Sequence, residues 1–192
     1  MKTTNIMIVG VGGQGSLLAS KLLGQLLVAE GYDVKVSEVH GMSQRGGSVV
    51  TYVKYGEKVN SPMICDGEAD FIVSFEKIEA ARWVSCLKPD GRIIVNTQQI
   101  DPMPVITGAA VYPDAIIDEL KAAGVAVDAL DALSLADEAG SSKAVNIVLM
   151  GRLAKYMDIP YERWTEEIEK SVKPQFIEIN KKAFELGYSY ED

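Results

Sequence analysis

Six residues constrain this chain more than any others: Gly10-Val11-Gly12-Gly13-Gln14-Gly15. Before them, 5–9 (NIMIV) is a short apolar run, which reads as a strand covered on both faces. After them, 14–30 carries Leu17, Leu18, Leu22, Leu23, Leu26 and Leu27, apolar nearly all round, as in a helix packed deep on a sheet. Gly31 stops that helix, and 33–39 returns as a second strand, completing a βαβ unit of ordinary size. Gly10, Gly12 and Gly15 satisfy G-x-G-x-x-G in this strand-to-helix setting. One glycine makes the tight turn, one lets backbone approach a phosphate, and one lets helix pack close to strand. Amide groups at the helix start then face the anion.

Glu38 lies 23 residues beyond Gly15, near where a nicotinamide enzyme keeps the carboxylate for its ribose. The turn therefore supports a dinucleotide site. It equally suits another phosphate-bearing ligand, a turn offered to a partner protein, or a tight connection that binds nothing.

The rest of the chain continues the alternation. Strands are predicted at 48–55 and 71–75, a helix at 77–87, turn chemistry at Pro89-Asp90-Gly91, and a strand at 92–96. Pro102 and Pro104 interrupt any regular element. A further βα pass covers 109–124, with a strand at 125–128. From Ser141 the pattern turns helical, over 143–156, 161–171 and 174–186, with Pro160 and Pro174 near two of the starts. The expectation is a Rossmann-like α/β fold. An open, mostly parallel sheet carries helices on both faces, and a helical C-terminal region (about 141–192) packs on it, all within a single domain over 1–192.

Composition removes several function classes. At 47% hydrophobic and 24% charged residues, the chain is globular rather than disordered. A formal net charge of -8 argues against indiscriminate nucleic-acid binding. Cys65 and Cys86 are too few for an iron–sulfur cluster and form no metal-ligand spacing with His40, the one histidine, so no metal site is expected. They read as two buried thiols in a reducing cytoplasm. No apolar stretch approaches the ~20 residues of a membrane span. The N-terminus runs straight into a strand without room for a signal peptide, so a soluble cytoplasmic protein is expected.

The loop Ser37-Glu38-Val39-His40-Gly41-Met42-Ser43-Gln44-Arg45-Gly46-Gly47 is the second concentration of chemistry. Loops at the carboxyl ends of parallel strands build the ligand crevice. Arg45, beside flexible glycines, could fork onto a phosphate or carboxylate; a solvated connection is the plainer alternative. Taken in order, GVGGQG followed by SEVHGMSQRGG resembles the gamma-type domain of 2-oxoacid:ferredoxin oxidoreductases. The EVHGMSQRGG form is closest to the small subunit of the indolepyruvate type. The stretch Lys143-Ala144-Val145-Asn146-Ile147-Val148 with Gly151 is similar to that family's lysine- and asparagine-bearing helix. The likeness spans essentially the whole chain.

The resemblance implies a division of labour. Thiamine diphosphate and iron–sulfur clusters belong to a large alpha-type partner subunit, and ferredoxin meets the assembled complex. This chain would hold none of those cofactors itself and would touch coenzyme A or the aryl 2-oxoacid. Gly10, Gly12, Gly13, Gln14, Gly15, Ser43, Arg45, Gly46 and Gly47 are the candidate binding residues, followed by Lys143 and Asn146, three apart on one helix face. Glu38 and His40 are weaker acid–base candidates, for want of an identifiable partner group. A self-contained NAD(P)-binding oxidoreductase or nucleotide-binding regulatory module is the alternative.

Overall fold

The computed structural model describes residues 3–38, 43 and 45–191. Six strands form one open sheet: β1 (Thr4–Val11), β2 (Asp33–Glu38), β3 (Ser48–Gly56), β4 (Ala69–Ser74), β5 (Leu87–Asn96) and β6 (Ala126–Leu130). Their order is β2-β3-β1-β4-β5-β6. The pairs β1–β4, β4–β5 and β5–β6 are parallel, whereas β3 runs antiparallel to both β1 and β2. The mostly parallel sheet expected from the sequence is therefore present, with one change. The first two strands point the same way, but β3 lies between them, in register from Thr4↔Tyr55 to Val11↔Ser48. Apolar alternation says which faces of a strand are buried and is silent about which strand lies alongside.

Period-two alternation divides the core. Ile6 and Ile8 face one layer, made by α1 (Ser16–Ala29), α5 (Ala132–Ala139), α6 (Val145–Ala154), α7 (Tyr161–Ser171) and α8 (Ile177–Tyr188). Met7 and Val9 face the other, where α2 (Lys77–Arg82) and α4 (Ile116–Ala122) pack. Between these two lies the single-turn α3 (Met103–Ile106). The C-terminal helices thus cover one side of the sheet. Helix α6 is buried along its whole length, and its Arg152 is paired with Asp128 of β6 at 2.5 Å. Helix α8 crosses it backbone to backbone. A Cβ on Gly151 would lie 2.1 Å from the Phe184 carbonyl oxygen, and one on Gly187 would lie 2.0 Å from that of Val148.

Several local expectations change. The helix expected over 77–87 ends at Arg82 and is followed by a 3-10 turn, Val84–Cys86. Pro89-Asp90-Gly91 is an irregularity inside β5 rather than a turn before it, because the pairing with β4 jumps from Ala69↔Leu87 to Phe71↔Arg92. Pro102 and Pro104 start α3, where proline is tolerated. Within 109–124 only α4 is regular, with no strand ahead of it. Between β6 and Ser141, where no element is expected, lies α5; Asp131 caps it by accepting the Ser134 amide at 3.0 Å. No helix among the described residues is long and apolar enough to cross a membrane.

Candidate functional site

The two motif segments meet at the carboxyl end of β1. Gly10 and Val11 are still in the sheet, opposite Val49 and Ser48. Beyond them the Gly12 amide donates to the Gly47 carbonyl at 2.8 Å, and the Gly46 amide donates to the Gly12 carbonyl at 3.1 Å. The glycine turn and the arginine–glycine loop are thus one hydrogen-bonded unit. Gly13 (φ 103°) and Gly46 (φ 90°) take left-handed backbone, and a Cβ on either would meet nothing within 4 Å. Both present bare backbone to open space, beside the exposed Arg45. Gly10 is needed for close packing, since its Cβ would lie 2.9 Å from the Phe75 Cβ.

Gln14 turns inward. Its Oε1 accepts the Val11 amide at 2.8 Å, and its Nε2 donates to the Phe75 carbonyl at 3.0 Å and to Gln98 Oε1 at 3.2 Å. Asn96 extends the same network, donating to Phe75 and accepting from the Ala132 amide at 3.1 Å. Asn146, also buried, lies under the turn and donates to the Gly15 carbonyl at 3.4 Å. Gln14 and Asn146 therefore shape the turn from within. Lys143 is exposed on a 3-10 turn, Ser142–Ala144, ahead of α6, so the two residues expected on one helix face are split between surface and core.

Glu38 ends β2 opposite Thr51, with β3 between it and β1. At about 4.8 Å per strand that is roughly 10 Å from the glycine turn's strand. Its carboxylate accepts the Ser20 hydroxyl of α1 at 2.7 Å. This is a different placement from a nicotinamide site, where the acidic residue ends the strand next to the turn. His40 and Gln44 lie outside the described residues. The Ser43 carbonyl accepts the Gly47 amide at 3.0 Å, closing a tight turn in which a Cβ on Gly47 would lie 3.0 Å from Ser43 Cα.

A buried acidic pair beneath this edge escaped the sequence reading. Glu76, 1% exposed, accepts the amides of Glu79 at 3.1 Å and Ile100 at 3.2 Å, and the Tyr112 hydroxyl. Glu79 accepts the Ser48 hydroxyl, so the second loop is also anchored to α2. Burial, then the hydrogen bond to the Glu76 carboxylate, pushes the Tyr112 hydroxyl well above its usual range. The available signal was a glutamate directly after an apolar run at a parallel strand's carboxyl end.

Bare backbone at Gly13 and Gly46, the Arg45 guanidinium and the uncapped start of α1 suit a phosphate or carboxylate group. Of the two cysteines expected to be buried, only Cys86 is; Cys65 is exposed. Burial with the Asp66 hydrogen bond pushes the Cys86 thiol up, which disfavours a thiolate ligand there. No group of three or more His, Cys, Asp or Glu among the described residues could hold a metal ion.

An open α/β sheet whose glycine turn is laced to an arginine–glycine loop places this chain in a defined class: it belongs to the pyruvate ferredoxin/flavodoxin oxidoreductase family, whose model matches residues 5–190. Within that family it is 46% identical, over 97% of its length and 95% of the relative's, to the indolepyruvate oxidoreductase subunit IorB of Thermococcus kodakarensis. It is 44% identical to the same subunit of Pyrococcus horikoshii, with equal coverage. The crystal structure of the pyruvate oxidoreductase subunit PORC from Thermotoga maritima has the same fold, with a TM-score of 0.73 at 23% identity over 98% of this chain and 96% of that one.

Proposed function

We propose that this chain is the small subunit of an indolepyruvate-type 2-oxoacid:ferredoxin oxidoreductase. The observation that carries the reading is its end-to-end similarity to IorB subunits. The complex would convert an aryl 2-oxoacid, coenzyme A and oxidised ferredoxin into an aryl-acyl-CoA, carbon dioxide and reduced ferredoxin. Thiamine diphosphate and the iron–sulfur clusters, which supply the decarboxylation and electron-transfer chemistry, would sit on a large cytoplasmic partner subunit. This chain would fold as one domain and complete the assembly. Gly13, Arg45 and Gly46 would offer amides and a guanidinium to an anionic group of coenzyme A or of the 2-oxoacid, with Gly12, Ser43 and Gly47 setting the loop. Gly10, Gln14, Gly15 and Asn146 would hold the turn in shape. Lys143, Glu38 and His40 remain candidates of lower rank.

The test is reconstitution. The purified chain alone should carry neither iron nor thiamine diphosphate and should not oxidise indolepyruvate, while addition of the large subunit should restore turnover. Turnover by the single chain, or stoichiometric iron and sulfide in it, would overturn the reading. Saturable stabilisation by NADH would favour a self-contained nucleotide-binding protein instead. At a hundred times its Kd, NADH would raise stability by about 2.7 kcal/mol; no shift is expected.

A further inference from the structure

A cavity opens between the start of α1, the end of α7 and the starts of α6 and α8. It has a volume of about 290 Å³. Its walls include Leu18 and Phe176, which are 39% and 45% exposed and apolar, and its rim carries Lys143 and Lys173. The chain has 27 acidic residues, yet none of those among the described residues lines this cavity. Neither lysine enters any ion pair among the described residues. The three helices that begin here, α1, α6 and α8, have no side-chain cap at their N-termini. Their dipoles therefore add positive potential to that of the two ammonium groups. Asn146 and Asn180 also line it, with their carboxamides bonded to the backbone of Gly15, Ile147 and Phe176.

We propose that this cavity binds a small organic anion with a flat apolar body, an aryl carboxylate being the class that fits best. The carboxylate would lie between Lys143 and Lys173, and the ring would lie against Leu18 and Phe176. The volume is at the small end for ligand sites, which run from about 300 to 1,000 Å³ and at this size cannot enclose a whole dinucleotide or coenzyme A. Asn146 both lines the cavity and holds the Gly15 carbonyl, so occupancy should be felt at the glycine turn. The inference stands on the cavity alone and does not depend on the reaction proposed above.

The experiment is titration of the ¹⁵N-labelled full chain with indole-3-acetate, followed by amide shifts. The controls are indole-3-acetamide, inorganic phosphate and coenzyme A. Indole-3-acetate should saturate with a Kd of about 1 mM or below, shifting the amides of Gly15 and Ala144. The neutral acetamide should bind at least ~10-fold more weakly, as should phosphate, which lacks the ring. Lys143→Ala and Lys173→Ala, both at exposed positions, should leave the melting temperature unchanged and each raise the Kd about tenfold. No saturation by about 10 mM would overturn the proposal. So would equal binding of the acetamide or of phosphate, insensitivity to both lysine substitutions, or tighter, lysine-dependent binding of coenzyme A.

Discussion

Gln14 Nε2 donates to the Phe75 carbonyl at 3.0 Å, so a side chain from the glycine turn secures the end of the neighbouring strand. The same carboxamide also engages Val11 and Gln98. A residue whose polar atoms are spent on the protein itself should matter for stability before it matters for affinity.

Gln14→Ala should therefore leave the Val11 amide without its acceptor and the Phe75 carbonyl with Asn96 alone, and cost about 2–3 kcal/mol. In a chain of this size that lowers Tm by roughly 4–12 °C in a thermal melt. An unchanged Tm with weakened coenzyme A use would instead make Gln14 a ligand contact.

Gly151→Ala should be, together with Gly187→Ala, among the most damaging single-methyl additions in the C-terminal region. The new Cβ would lie 2.1 Å from the Phe184 carbonyl oxygen, a backbone atom that cannot step aside without moving α8. We expect a loss of about 3 kcal/mol or more in a denaturant titration. Trp164, stacked on Phe184 with ring centroids 5.7 Å apart, should report the displacement by fluorescence.

These two cases show what was legible in the sequence. Buried strands, the glycine turn and the pairing of motifs were readable because each is written in a local pattern: an apolar run, a glycine spacing, a dense polar loop. Position in the sheet was not. Nothing within 48–56 announces that this strand inserts between the first two, since both neighbours are met through backbone hydrogen bonds common to every sequence. The direction of Gln14 and Asn146 was equally hidden. An amide in a turn reads as a ligand contact until the carbonyls of Phe75 and Gly15 are found beneath it. Helix α5 is short and weakly apolar on its outer side, and its one sharp sequence signal is the capping Asp131 ahead of Ser134.

Tyr112→Phe should remove one of the donors to buried Glu76 and cost about 1–3 kcal/mol at neutral pH. The wild-type tyrosine also predicts a pH dependence. Its folded pKa is raised above the unfolded value of about 10, so its contribution is fully present below that pH. It is lost as pH rises through the folded value, because the unfolded chain ionises first. Denaturation midpoints should fall above about pH 10 in the wild type and fall less steeply in Tyr112→Phe.

Arg45→Ala in the assembled enzyme should weaken use of coenzyme A more than use of the 2-oxoacid. Loss of one charge-assisted bond, about 1.5–3 kcal/mol, corresponds to roughly 10- to 150-fold in apparent affinity. Steady-state kinetics with each substrate varied in turn would show the split. Equal effects on both would move Arg45 out of the coenzyme A contact.

The insertion of β3 between β1 and β2 also bears on how the chain is made. Synthesis delivers the strands in numerical order, yet β1 gains its first hydrogen-bonded neighbour only when 48–56 has been added, and its second only with 69–74. Until then the apolar residues of β1 and α1 wait without a sheet to cover, although they stand first in the chain. A nascent chain halted after β2 would hold a strand and a helix that are complete in sequence and unable to close, and folding on the ribosome should begin in step with the arrival of β3.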